Sequence, residues 1–237
     1  MYRQHSIAYI LPAWNEAKKI SRAVERMPRD LVDEVIVVDD GSSDGTAAVA
    51  AAAGARVLRH ETNWGVGAAI RTGITWARRR NIALTGIIAA DDQDDPQQII
   101  NLVRAIVDEG ADFVQGSRYL EGGRRLNQPL SRTLMTRGYS FLFSLCVRRP
   151  ISDATNGFKL FRTEITSTMA LDQRWLDRYE LEPYLLYQAI KRGHRVREVA
   201  VTKYYPPDRL GYTKMRAWRD WWRISRPMLL LTVGLKH

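Results

Sequence analysis

Five apolar runs, each closing on small or charged residues, punctuate the first half of the chain and predict its architecture. Ser6-Ile7-Ala8-Tyr9-Ile10-Leu11-Pro12 reads as a short strand, and Ile20, Val24 and Met27 follow at helical spacing. Glu34-Val35-Ile36-Val37-Val38-Asp39-Asp40 is a continuous apolar strand ending in two acids, after which Gly41 to Thr46 opens an alanine-rich helix. Arg56 to His60, then Asn63-Trp64-Gly65-Val66-Gly67, then a helix through Ile70, Ile74 and Trp76 make a third unit. A fourth strand, Ile87-Ile88-Ala89-Ala90, runs into Asp91-Asp92-Gln93-Asp94-Asp95-Pro96 and a helix marked by Ile99, Ile100 and Val103; Phe113 to Arg118 is a fifth. Strands alternating with helices predict an α/β fold: a doubly wound, mostly parallel sheet with helices on both faces and ligands at the strands' carboxyl ends.

The acid run after Ile87 carries the most chemistry. In an extended backbone Asp91 and Gln93 share one face while Asp92 and Asp94 take the other. One carboxylate and one amide oxygen then reach a single hard cation, Mg²⁺ or Mn²⁺, which takes oxygen ligands and usually shares them with substrate phosphates. The plainer role is helix capping, which suits Asp94 or Asp95 ahead of Pro96 but leaves Asp91 unexplained.

A chain of 237 residues, 45% of them hydrophobic, suffices for one domain with a sizeable core. The single cysteine, Cys146, lies in an apolar run, so a buried thiol and a reducing, cytoplasmic setting are expected. No h-region of a signal peptide and no apolar run of the roughly 18 to 20 residues that span a bilayer is visible. The formal charge of +10 is concentrated between Lys203 and His237, a stripe suited to nucleic acid, an anionic membrane or a polyanionic substrate. The G-x-G-x-x-G dinucleotide fingerprint is incomplete, and a Walker loop, a zinc-type Cys/His spacing and a G-x-S-x-G elbow are absent.

Pro12-Ala13-Trp14-Asn15-Glu16, Val38-Asp39-Asp40-Gly41-Ser42, Asn63-Trp64-Gly65-Val66-Gly67 and Ala90-Asp91-Asp92-Gln93-Asp94-Asp95-Pro96 resemble, in order and spacing, the signatures of family 2 glycosyltransferases of the GT-A fold. Asp153 to Phe161, Glu198 to Val201 and Arg209 to Lys214 resemble its polyprenyl-phosphate sugar transferase branch, typified by dolichol-phosphate mannose synthase. The likeness covers roughly residues 6 to 215 and implies an inverting, metal-dependent hexosyl transfer from a GDP- or UDP-sugar to a polyprenyl phosphate. Carried over, Pro12, Asn15, Glu16 and Asp39 line the nucleotide pocket, Asp40 holds the nucleoside, Asp91 with Gln93 ligates the metal, and Arg118, Arg209 and Lys214 meet phosphates. Ala89 departs from the family pattern, for many relatives place the first acid of an Asp-x-Asp motif there; metal held more weakly, or mainly through the nucleotide, is implied. An anionic phosphate acceptor needs no strong base, whereas a hydroxyl acceptor, as in glycolipid or polysaccharide synthesis, needs a placed carboxylate. Asp153 is the candidate, its alternative being a turn anchor ahead of Gly157.

Residues 132–149 are apolar in the middle and basic at both ends, either a core helix or one beside a lipid acceptor. A transferase domain over 1–208 and a separate segment over 209–237 are expected. If residues 214–226 are helical, Met215, Trp218, Trp221 and Trp222 face one side and Arg216, Arg219, Arg223 and Arg226 another. Such a helix sits at a membrane surface or packs its tryptophans on the domain. Pro227 should stop it, leaving Met228 to Leu231 to insert shallowly or pair with another subunit, itself or a membrane protein. A nucleic-acid partner is not expected, because it leaves the acidic strand ends without a role.

Overall fold

The computed structural model describes residues 1–205 and, towards the C-terminus, residues 225, 228, 230–232 and 234. The five apolar runs become β1 (Ile7–Ala13), β2 (Glu34–Asp39), β3 (Arg56–Arg59), β4 (Leu84–Ile87) and β5 (Phe113–Ser117). Further along come β6 (Arg124–Leu126), β7 (Lys159–Arg162), β8 (Val196–Ala200) and β9 (Thr202–Tyr204). The helices are α1 (Ala17–Glu25), α2 (Thr46–Ala52), α3 (Val66–Arg79), α4 (Ile99–Val107), α5 (Leu130–Val147) and α6 (Leu181–Lys191).

Seven strands form one sheet in the order β3-β2-β1-β4-β7-β5-β8, while β6 and β9 make a separate parallel ribbon. All pairings in the large sheet are parallel except those of β7, which enters antiparallel between β4 and β5. The motif around Lys159 thus supplies a strand that the alternating pattern does not announce. The central strands are buried on both faces, as their unbroken apolar composition requires. Tyr9, Leu11, Val35 and Val37 pack on one side with Ile20 and Val24 of α1 and Leu102 and Val103 of α4. Ile10, Ile36, Phe113 and Phe161 pack on the other side with Ile70, Phe143 and Leu185 of α3, α5 and α6. Phe113 and Phe161 stack across β5 and β7 with centroids 5.6 Å apart; burying such a ring contributes about 1.5–3 kcal/mol.

One expectation is corrected. β4 stops at Ile87, so the acids follow the strand in a loop in which Asp92 adopts φ 58°; the alternation argued for residues 91–94 does not apply. Towards the C-terminus, Met228 and Leu231 are buried in the same cluster as α5 and α6. Arg209, Lys214 and the tryptophans at 218, 221 and 222 lie outside the described residues. No helix among the described residues is long and apolar enough to cross a membrane.

Candidate active site

The loops after β1 and β2 are locked to each other at the sheet's carboxyl edge. Register puts Ala13 opposite Asp39, so the two chains leave the sheet together. Asn15, at φ 50°, donates its N–H to Ser42 Oγ (2.9 Å) and accepts the Ser43 N–H at Oδ1 (3.0 Å). The Glu16 N–H reaches Thr46 Oγ1 at 2.9 Å and the Ala17 N–H reaches Asp44 at 3.1 Å. Short polar side chains from one loop therefore satisfy the opening N–H groups of the other loop's helix. Gly41, at φ +70°, permits this closeness, since a Cβ there would sit 2.5 Å from the Thr62 carbonyl carbon.

The two acids at the end of β2 have different duties. Asp40 accepts the Trp64 N–H (2.9 Å) at Oδ1 and the Gly65 N–H (2.8 Å) at Oδ2, and His60 Nδ1 lies 2.7 Å from Oδ1. A carboxylate already accepting two N–H groups needs a donor from the imidazole, so Nδ1 carries the proton and Nε2 faces the Thr72 hydroxyl at 2.9 Å. Asp40 thereby holds the 60–65 loop. Asp39 accepts the Ser42 N–H at Oδ1 (3.1 Å), and its Oδ2 has no hydrogen bond, with Arg59 Nε 3.3 Å away on a largely exposed side chain.

In the acid loop each carboxylate has a separate partner. Asp91 Oδ1 accepts the Gln93 N–H at 3.1 Å, which closes a local turn. Asp92 faces away, paired with Arg22 (2.9 Å) and Arg26 (2.6 Å) of the α1 region. Asp95 caps the short 3-10 turn at Pro96–Gln98 by accepting the Gln97 N–H, the capping duty expected of Asp94 or Asp95. Asp94 is buried against Lys203 Nζ at 2.7 Å, and the Tyr204 N–H donates to the Gln93 carbonyl at 2.8 Å, so β9 clasps the loop. Burial lifts the Asp94 carboxyl above its ordinary range against the pull of Lys203. Burial works to lower the Lys203 pKa, but the Asp94 and Asp91 charges more than reverse it and keep the ammonium protonated. The pairing spans 109 positions and has no local sequence signal.

Among the described residues no three Asp, Glu, His or Cys side chains converge on one point. The donor set at the loop is one carboxylate, Asp91, and the Gln93 amide, with Ala89 adding none. That is too few oxygens for an all-protein cage and fits an ion held mainly by a substrate's diphosphate.

Arg118 and Asp153, expected to touch substrate, instead bind each other beneath the surface. Arg118 Nε and Nη2 meet the two Asp153 oxygens at 2.7 and 2.8 Å, the Arg118 N–H adds a third bond at 3.1 Å, and both side chains are buried. Nη1 reaches the Tyr205 hydroxyl at 2.6 Å and Nη2 the Thr155 hydroxyl at 2.8 Å. Burial opposes the guanidinium's charge, but Asp153 outweighs it and raises the Arg118 pKa further. This geometry engages Arg118 and Asp153 with each other, an arrangement that accords with the turn-anchor alternative for Asp153. Other arginines surround two tyrosines: the exposed Arg125 and Arg137 lie 5.1 and 5.6 Å from the Tyr119 ring, and the half-buried Arg132 lies 5.1 Å from that of Tyr205. This cluster was missed, although residues 122–152 hold six arginines and no acid.

The sequence profile of "Glycosyl transferase family 2" matches residues 9–169, more than half of the chain. The chain belongs to that family. It is 30% identical over 213 residues to the polyprenol monophosphomannose synthase of Mycolicibacterium smegmatis, covering 87% of this chain and 79% of that one. It is likewise 30% identical over 213 residues to the undecaprenyl-phosphate mannosyltransferase of Micrococcus luteus, covering 87% and 86%. Of solved structures, it is similar to glucosyl-3-phosphoglycerate synthase from Mycobacterium tuberculosis in complex with Mn²⁺, UDP and glucosyl-3-phosphoglycerate. That match has a TM-score of 0.73 at 21% identity and covers 99% of this chain and 82% of that one. The family 2 enzyme therefore has the GT-A fold, a mostly parallel sheet flanked by helices, and is a glycosyltransferase.

Proposed function

We propose that this enzyme transfers a sugar from a GDP- or UDP-sugar to a polyprenyl phosphate, dolichyl or undecaprenyl in type, with inversion. The observation that carries the acceptor is the state of Asp153: its oxygens are consumed by Arg118, while arginines 125, 132 and 137 stand on the same side of the molecule. A hydroxyl acceptor needs a carboxylate to take its proton; an anionic phosphate brings its own nucleophilic oxygen and needs cations. The lipid-phosphate substrates in the relatives' names agree with this choice.

The residues divide the work along the sheet edge. The interlocked loops carrying Pro12, Asn15, Glu16 and Asp39 receive the nucleoside, with Asp39 Oδ2 as the hydrogen-bond acceptor on offer in place of Asp40. Asp91 and Gln93 hold the divalent cation, which when bound neutralises the diphosphate and so assists its departure. The acceptor phosphate oxygen forms a bond to the anomeric carbon as the bond from that carbon to the diphosphate oxygen breaks. The electron pair leaves on the nucleoside diphosphate, and no proton changes hands. Arg209 and Lys214 are assigned to the phosphates by the family motif alone. The test is transfer of radiolabelled sugar from GDP- and UDP-sugars to a short-chain polyprenyl phosphate. A lipid-extractable product labile to mild acid is expected, and an acid-stable product would move the assignment to a hydroxyl acceptor.

A further inference from the structure

The acid loop lies beyond the ladder of the large sheet, since β4 ends at Ile87 and Asp92 sits at φ 58°, so its shape depends on neighbours. On one side Asp92 pairs with Arg22 and Arg26. On the other side β9 forms a seam along it. An antiparallel bridge joins Asp94 to Lys203, and the Tyr204 N–H donates to the Gln93 carbonyl at 2.8 Å. The Gln98 side chain accepts the Thr202 N–H at 2.6 Å and donates to the Thr202 hydroxyl at 3.2 Å. Lys203 Nζ completes the seam 2.7 Å from Asp94 Oδ2, with both residues buried.

A buried ion pair adds little to stability, because desolvation offsets most of its attraction and apolar residues of similar volume often do as well or better. Its best-attested use is to fix the register of the segments it joins. The register at stake here is that of Gln93, whose N–H goes to Asp91 Oδ1 and whose carbonyl goes to Tyr204, the neighbour of Lys203. Charge fits the same role. The Asp91 carboxylate acts on Lys203 as well as on Asp94, so the ammonium stands within electrostatic reach of Asp91. Alone it would repel a cation there, and Asp94 cancels that repulsion. Because Ala89 offers no oxygen, the aim of the two remaining side chains, Asp91 and Gln93, matters more.

We propose that Lys203 is a positioning residue for the divalent-cation site: paired with Asp94, it sets the 91–94 loop so that Asp91 and Gln93 present their oxygens to one ion. It touches neither the ion nor the sugar. The inference rests on the assignment of the cation to Asp91 and Gln93 in the proposed function.

The test measures Mn²⁺ binding to the full chain by electron paramagnetic resonance, with UDP and with GDP and without acceptor, beside the melting temperature. Asp94→Asn combined with Lys203→Met removes both charges at once, so the net charge is kept and no buried ion is left unpaired. It is expected to weaken Mn²⁺ binding roughly tenfold, the scale on which groups behind metal ligands act, with a cooperative melt close to that of the wild type and turnover restored by excess Mn²⁺. Asp94→Asn combined with Lys203→Gln, which can rebuild a neutral hydrogen bond across the seam, should recover most of the loss. Asp112→Asn, which breaks the contacts to Arg195 and Arg162 at the amino end of β5, should lower the melt and leave Mn²⁺ binding as it was. Asp91→Asn, measured in parallel, should abolish Mn²⁺ binding. Unchanged binding in that variant would remove the cation assignment itself and this inference with it. Its loss there beside unchanged binding in the Asp94/Lys203 variants would overturn the positioning role alone. An equal shift in Asp112→Asn, or loss of the cooperative melt in both Asp94/Lys203 variants, would also overturn it and leave the pair as a support of the fold.

Discussion

The half of the molecule proposed to bind the donor, β1 to β4 with their loops, and the half proposed to bind the acceptor, around β5, β6 and α5, partner their polar groups in opposite ways. In the donor half several acids and loop N–H groups are partnered within the chain: Asn15 with the 42–43 turn, Asp40 with His60, Trp64 and Gly65, and Asp94 with Lys203. A pocket for a charged, water-soluble ligand gains from such fixed dipoles, because they need no reorganisation when the ligand enters. In the acceptor half the buried ion pair of Arg118 with Asp153 serves the scaffold, and exposed arginine, leucine and phenylalanine side chains stand around it. The difference teaches that carboxylates in this fold are read by their partners and not by their motif.

The largest effect should come from breaking the acceptor-side scaffold. Asp153→Ala leaves a buried guanidinium unpaired, which typically costs about 3–5 kcal/mol, and the denaturation midpoint should fall accordingly. If the variant instead melts like the wild type and loses only turnover, Asp153 is a catalytic group and the contrast between the halves fails. Asp91→Asn should come next: transfer reduced about a hundredfold or more, equivalent to at least about 2.7 kcal/mol, with the melt preserved and the Mn²⁺ dependence altered. Retained activity with an unchanged metal titration would remove Asp91 from the site. With the phosphate-gripping role proposed for Arg209 and Lys214, each change to Ala is expected to remove a charge-assisted contact worth about 1.5–3 kcal/mol, so short-chain transfer should drop roughly tenfold to a hundredfold. Untouched turnover would show that the phosphates are held by other cations. The smallest change is Ala89→Asp, which should tighten Mn²⁺ a few-fold by adding a second carboxylate beside Asp91; an unchanged titration would place residue 89 away from the ion.

Much of the architecture was legible in the chain because it rests on local rules. Continuous apolar runs such as Glu34–Asp39 form buried parallel strands, helical spacing after each run forms the covering helices, and Asp95 before Pro96 caps the following turn. The succession of Pro12, Asn15, Glu16, Asp39 and Asp91 in and after successive strands belongs to the same local pattern. The tertiary structure alone decided which partners these and the neighbouring polar groups take. The end of β4 at Ile87, the entry of β7 between β4 and β5, the burial of Met228 and Leu231, and the claims on Asp40, Asp94 and Asp153 depend on partners far along the chain. Asp94 and Lys203 stand 109 residues apart, and Arg118 and Asp153 35. A hydrogen bond or ion pair across such a separation leaves no period in the sequence. Its energy is realised only when the sheet brings both ends together and excludes water from around them.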